Sequence, residues 1–113
     1  MDDKIALVRR AIDETEKEYA QLPMVVRLMV RRGFVKRTGH DFAAWRKLLD
    51  GASRGIFASQ LPASLGALAD HYRGAPARAR RGMGASAAQL EVVEERSKAR
   101  AEAVEALRTA MAS

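Results

Sequence analysis

Ile5, Val8, Ile12, Thr15, Tyr19 and Leu22 follow one another at spacings of three, four, three, four and three residues. That rhythm puts all six on one stripe of an α-helix, and a strand, whose side chains alternate with period two, cannot bury them together. The spacing predicts a helix over residues 2–22. Asp2 and Asp3 would place negative charge on the open N–H groups of its first turn. Over three heptads the stripe also has the form of a coiled-coil seam, so it suits either the chain's own core or a helix pair between two chains.

The rest of the chain reads in the same period. Pro23 suits the first turn of a second helix, where its missing N–H is not needed. In that helix Val25, Val26, Met29 and Val30 are expected on the buried side, with Arg27 and Arg31 exposed. Gly33 is expected to close it, and residues 34–37 either extend it or turn back as a hairpin over Val30–Lys36. Thr38 with Asp41 forms a capping box ahead of Phe42, Trp45, Leu48 and Leu49, in a helix that Gly51 should end. Ser53 is read as the cap of a short helix bearing Ile56, Phe57 and Leu61. Leu65, Leu68, Ala69 and Tyr72 then mark a helix ending at Gly74. Residues 74–85, GAPARARRGMGA, have the composition of a flexible basic linker. Ser86 with Gln89 is a second capping box. It opens a long helix whose frame, Leu90, Val93, Ser97, Arg100, Val104, Leu107 and Met111, is interrupted by Ser97 and Arg100.

The expected fold is therefore all-α, with five or six helices: a compact basic middle between long first and last helices. Residues 1–73 would form the helical domain, 74–85 the linker, and 86–113 a helix for docking or oligomerisation. Both terminal helices carry an apolar seam too thin to stand alone, so they should pack on each other or on a second copy. Ile5, Val8, Ile12, Tyr19, Leu90, Val93, Val104 and Leu107 are the candidate oligomerisation residues of a homo-oligomer.

Charge is segregated. Between Pro23 and Ala85 twelve Lys and Arg face only Asp41, Asp50 and Asp70, a balance of +9, whereas the two ends carry −2 and −1. Such segregation speaks to partners rather than to fold. Arginine dominates, and its planar fork suits phosphate and base edges. The candidate nucleic-acid-binding residues are Arg27, Arg31, Arg32, Lys36, Arg37, Arg46, Lys47, Arg78, Arg80 and Arg81. A small non-enzymatic nucleic-acid-binding protein, with DNA the expected partner, is the leading reading. The alternative is a homo-oligomeric adaptor whose basic surface meets an acidic protein.

Catalytic signals are weak. His40 and His71 stand 31 positions apart, with no HxxxH or HExxH spacing, so neither a metal nor a catalytic residue is expected. Asp70 and His71, as neighbours on a helix, point about 100° apart and form no dyad. Ser53, Ser59 and Ser64 have no base at a telling spacing. No cofactor and no small-molecule substrate are expected. With no cysteine the chain holds neither disulfide nor thiolate chemistry. Asp2 and Asp3 spoil the positive start of a secretory leader, and arginines interrupt every apolar run before it could span a bilayer. The expected location is the cytoplasm, with no membrane partner.

Overall fold

Asp2 and Asp3 occupy the first turn of α1 (Asp2–Ala20), which turns Ile5, Val8, Ala11, Ile12 and Thr15 inward. The computed structural model describes residues 1–82 and 85–112. Five more helices follow: α2 (Met24–Thr38), α3 (Phe42–Ser53), α4 (Leu61–Arg73), α5 (Ala75–Gly82) and α6 (Ala87–Ala112). No strand occurs among the described residues, so the chain is all-α and residues 30–36 are helix rather than hairpin.

The broadest contact in the molecule is α4 on α6. α1 packs on both α6 and α3, and α2 rests mainly on α4. Val8, Ile12, Trp45, Leu49, Leu61, Leu65, Leu68, Val104 and Leu107 are fully enclosed where α1, α3, α4 and α6 meet. Each such side chain contributes roughly 1.5–3 kcal/mol of burial. The 26 residues of α6 rise about 39 Å at 1.5 Å per residue and account for most of the 43 Å long axis.

The seams close on each other within one chain. Ile5, Val8, Ile12, Val104 and Leu107, expected as oligomerisation residues, lie in the chain's own core. Tyr19 packs half-buried against that core. Leu90 and Val93, near the start of α6, are half-buried. The interruptions in the α6 frame prove to be docking positions: Ser97 and Arg100 are both buried. Arg100 reaches back to α1 and donates from Nη1 and Nη2 to the two Glu18 carboxylate oxygens, at 3.0 and 2.6 Å. Burial opposes its charge, but the hydrogen bonds and field of Glu18 outweigh that and hold its pKa above the ordinary value. Thr15 Oγ1 and the Tyr72 hydroxyl, 2.8 Å apart, close a second polar link between α1 and α4.

Several boundaries differ from expectation. α2 runs through Gly33 and ends at Gly39, whose φ of +84° is the left-handed stop that glycine provides. Thr38 does not cap α3; its Oγ1 accepts from Trp45 Nε1 at 3.0 Å. Asp41 is the cap, and its Oδ1 accepts from the Ala44 amide at 2.7 Å. Asp41→Ala should therefore lower stability by about 1 kcal/mol, read as an earlier urea midpoint with an unchanged slope. Gly51 lies inside α3, Ser53 is its last residue, and Gly55 (φ +82°) makes the turn. Ile56 and Phe57 are exposed in that turn rather than packed on a helix. The Ser86–Gln89 box is present in both directions, at 2.8 and 3.2 Å.

The stretch read as a linker holds α5, packed on α6. Its glycines fall at the ends, Pro76 falls in the first turn, and Ala and Arg between them are good helix formers. Met83 and Gly84 lie outside the described residues. Since α6 packs on α4 and α1, residues 86–112 share one core with residues 1–73.

α2 is rotated from its expected setting. Val25 and Met29, expected inside, are 70% and 67% exposed, alongside Met24 and Leu28. Val26, Val30 and Arg27 are half-buried, and Arg31, exposed as expected, reaches toward Glu16 of α1. The cause is Phe34. Its ring stacks on Phe42 with centroids 4.4 Å apart and meets the edges of Tyr19 and His71. Once Phe34 faces the core, helical spacing brings 27, 30, 31 and 38 to the same side and sends 25, 28, 29 and 32 outward.

Candidate nucleic-acid interface

Three of the ten candidate cations are neutralised within the fold. Arg46 lies between the carboxylates of Asp13 and Glu16, Arg31 is 3.7 Å from Glu16, and Arg80 pairs with Glu94. Arg27 Nη1 is 3.4 Å from the Ala20 carbonyl oxygen. These arginines brace helices, so they are poor phosphate ligands. Among the described residues, Arg32, Lys36, Lys47 and Arg81 are exposed and form no ion pair. A groove of about 520 Å³ between α4, α5 and α6 offers no net positive wall. Its Arg73 and Arg80 are answered by Glu105 and Glu94.

Arg37 and Arg78 behave differently. They come from the last turn of α2 and the middle of α5, and they converge on the imidazole of His71, near the end of α4. Arg37 Nε donates to His71 Nδ1 at 3.1 Å. Arg78 Nη2 lies 3.3 Å from the same nitrogen and donates to the His71 carbonyl at 2.7 Å. His71 is 3% exposed, its ring held edge-on by Phe34 and Tyr72. Neither arginine faces a carboxylate among the described residues. Arg81 adds its field to that of Arg37 at Arg78, where burial is the first cause of a lowered pKa.

Nδ1 is the acceptor nitrogen here, so the ring is neutral. Burial, then the charges of Arg78 and Arg37, pushes its pKa down to about 3 from the ordinary 6.5. In the unfolded chain the ring gains a proton below about 6.5, whereas the folded ring resists it until about 3. Its contribution to stability is therefore complete above pH 6.5 and falls as the pH drops from there toward 3. The loss is at most about 1.4 kcal/mol per pH unit. Urea midpoints of wild type and His71→Gln, compared between pH 7 and 4.5, should converge as the pH falls.

Sequence reasoning missed His71 as the meeting point of these charges. A signal exists: Gly33-x-x-x-Arg37 and Gly74-x-x-x-Arg78 share one spacing. A Cβ on Gly33 would lie 2.8 Å from Arg37 Nη2, and one on Gly74 would lie 2.7 Å from Arg78 Nη1. Each guanidinium thus lies back over a glycine four residues earlier on a helical path.

Another pair was also unforeseen. His40 Nε2 sits 3.0 Å from Ser64 Oγ, with the imidazole edge-on to Trp45. No carboxylate orients the other nitrogen of His40 among the described residues, so the pair lacks the third member of a hydrolytic triad. Asp70 pairs with Arg73, not with its neighbour His71. No group of three or more metal-ligating side chains forms among the described residues, and none of the described helices is long and apolar enough to cross a membrane.

No family model, curated protein or solved structure matches this chain.

Proposed function

We propose that this chain is a small non-catalytic nucleic-acid-binding protein, with duplex DNA its expected partner. Its contact surface is formed by the C-terminal half of α2 and by α5, whose Arg37 and Arg78 converge on His71. The observation that carries this reading is the uneven neutralisation of charge. The acidic residues of α1 absorb Arg31, Arg46, Arg96 and Arg100, whereas Arg32, Lys36 and Arg37 on α2 and Arg78 and Arg81 on α5 face no carboxylate. His71 anchors Arg37 of α2 and Arg78 of α5, and Arg32, Lys36 and Arg81 are exposed on the same two helices. Cations held so, without internal partners, are what phosphate neutralisation with counterion release requires. Duplex binding that weakens steeply with salt, measured by fluorescence anisotropy, tests it. Binding absent at low salt would end it.

A second reading, the adaptor, is favoured by the exposed row Met24, Val25, Leu28 and Met29. Apolar side chains do not serve phosphate. Arg32 stands among them, and arginine and methionine are enriched at the centres of protein interfaces. The occupant this row suits is an acidic helix of another protein. A second copy fits poorly, because each α2 brings five cations and no carboxylate. Val25→Ser with Met29→Ser should leave DNA binding unchanged if the nucleic-acid reading is right.

A further inference from the structure

Two guanidinium groups on one neutral imidazole are an expensive arrangement unless something else answers them. Nδ1 has a single lone pair, so it cannot satisfy two donors fully. With Arg37 using only Nε and Arg78 only Nη2, the remaining N–H groups of both forks have no acceptor among the described residues. Arg78 is half-buried, and burial, then the charge of Arg37, disfavours its protonated form. Against that, the geometry is built. Each fork lies over a glycine four residues earlier, and the shared anchor is a buried ring fixed by two aromatic neighbours.

We propose that Arg37 and Arg78, anchored on His71, form a binding site for a doubly charged terminal phosphate group, as found on a phosphate monoester or a 5′-phosphorylated nucleic-acid end. Two guanidinium charges match a group of about −1.5 to −2, whereas a phosphodiester, at −1, would leave one cation unanswered. The forks present parallel N–H groups that suit the oxygens of such a group. Arg37 can keep its Nε bond to His71 while offering both Nη groups, so binding needs no repacking of the core. The site stands whether or not the surface around it binds duplex DNA.

Methyl phosphate and dimethyl phosphate are the simplest probes of this distinction. In amide and arginine-side-chain NMR titrations of the full chain at pH 7.5 and fixed ionic strength, methyl phosphate should give saturable shifts centred on Arg37, His71 and Arg78. Dimethyl phosphate should bind at least tenfold more weakly. Arg37→Gln and Arg78→Gln should each weaken methyl phosphate by about tenfold or more, the loss of one charge-assisted fork. Arg54→Gln, which removes an equal charge from the α3–α4 turn, should change it less than twofold. Wild type alone gives an independent check should either variant fail to fold. From pH 7.5 to 5 methyl phosphate crosses its second ionisation near 6 and should weaken several-fold, while sulfate, a dianion throughout, should not. A 5′-phosphorylated single strand binding more tightly than its 5′-hydroxyl form would name the nucleic-acid end as the source; equal binding would name the free monoester. Equal affinity for the two methyl esters, or the same loss from Arg54→Gln as from Arg37→Gln, would overturn the proposal.

Discussion

Ile12→Asp is expected to leave the chain without a cooperative unfolding transition at 25 °C. Ile12 is wholly enclosed between α1 and its neighbours in the central cluster. The substitution forfeits roughly 1.5–3 kcal/mol of burial and places a carboxylate inside an apolar cluster, a penalty of several kcal/mol more. Domains of this size hold only about 5–15 kcal/mol in total. Val92→Asp is the matching control. Val92 is 54% exposed on α6, so its variant should stay within about 0.5 kcal/mol of wild type. Far-UV circular dichroism with urea titration separates the two. Light scattering on the wild type adds the second half of the test. A seam used inside the chain predicts a folded monomer, whereas a seam used between chains predicts a concentration-dependent midpoint.

Where one apolar stripe dominated a segment, the sequence was enough. Ile5, Val8 and Ile12 in α1, and Leu65, Leu68, Ala69 and Tyr72 in α4, are buried as their spacing predicts. The Ser86–Gln89 box is equally local, and it forms as read. α2 was not legible in this way. It carries large apolar residues on every side, so its own pattern does not decide which side turns inward. That choice belongs to Phe34, through ring contacts with Tyr19, Phe42 and His71 on three other helices.

Ion pairs escaped for a related reason. Lys17 and Lys98 stand four residues after Asp13 and Glu94, a spacing that suits local pairs on a helix, yet Asp13 pairs with Arg46 and Glu94 with Arg80. Arg100 and Glu18, 82 positions apart, show the general case: charge partners in a helical bundle are set by crossing geometry. For the candidate site this meant that ten cations looked alike in the sequence. Only the fold separates those held by carboxylates from those left open.

The distinction between held and open cations is also what a binding experiment reads. With five phosphate contacts the slope of log K against log[salt] for duplex DNA should be about −4.5, or roughly a 500-fold loss between 50 and 200 mM salt. Neutralising Arg32, Lys36 and Arg81 together should flatten the slope by about 2.7 units, since each removes one released counterion. Arg73 and Arg108 offer the contrast. Both are exposed and both lean on Glu105. The decisive measurement is the salt series on wild type, the Arg32→Gln/Lys36→Gln/Arg81→Gln variant and the Arg73→Gln/Arg108→Gln variant, each with its stability checked by urea titration. A steep wild-type slope, flattened by the triple variant and barely altered by the double one, is the predicted result. Equal flattening per charge removed in both variants, or no binding by wild type at 50 mM salt, would contradict the account.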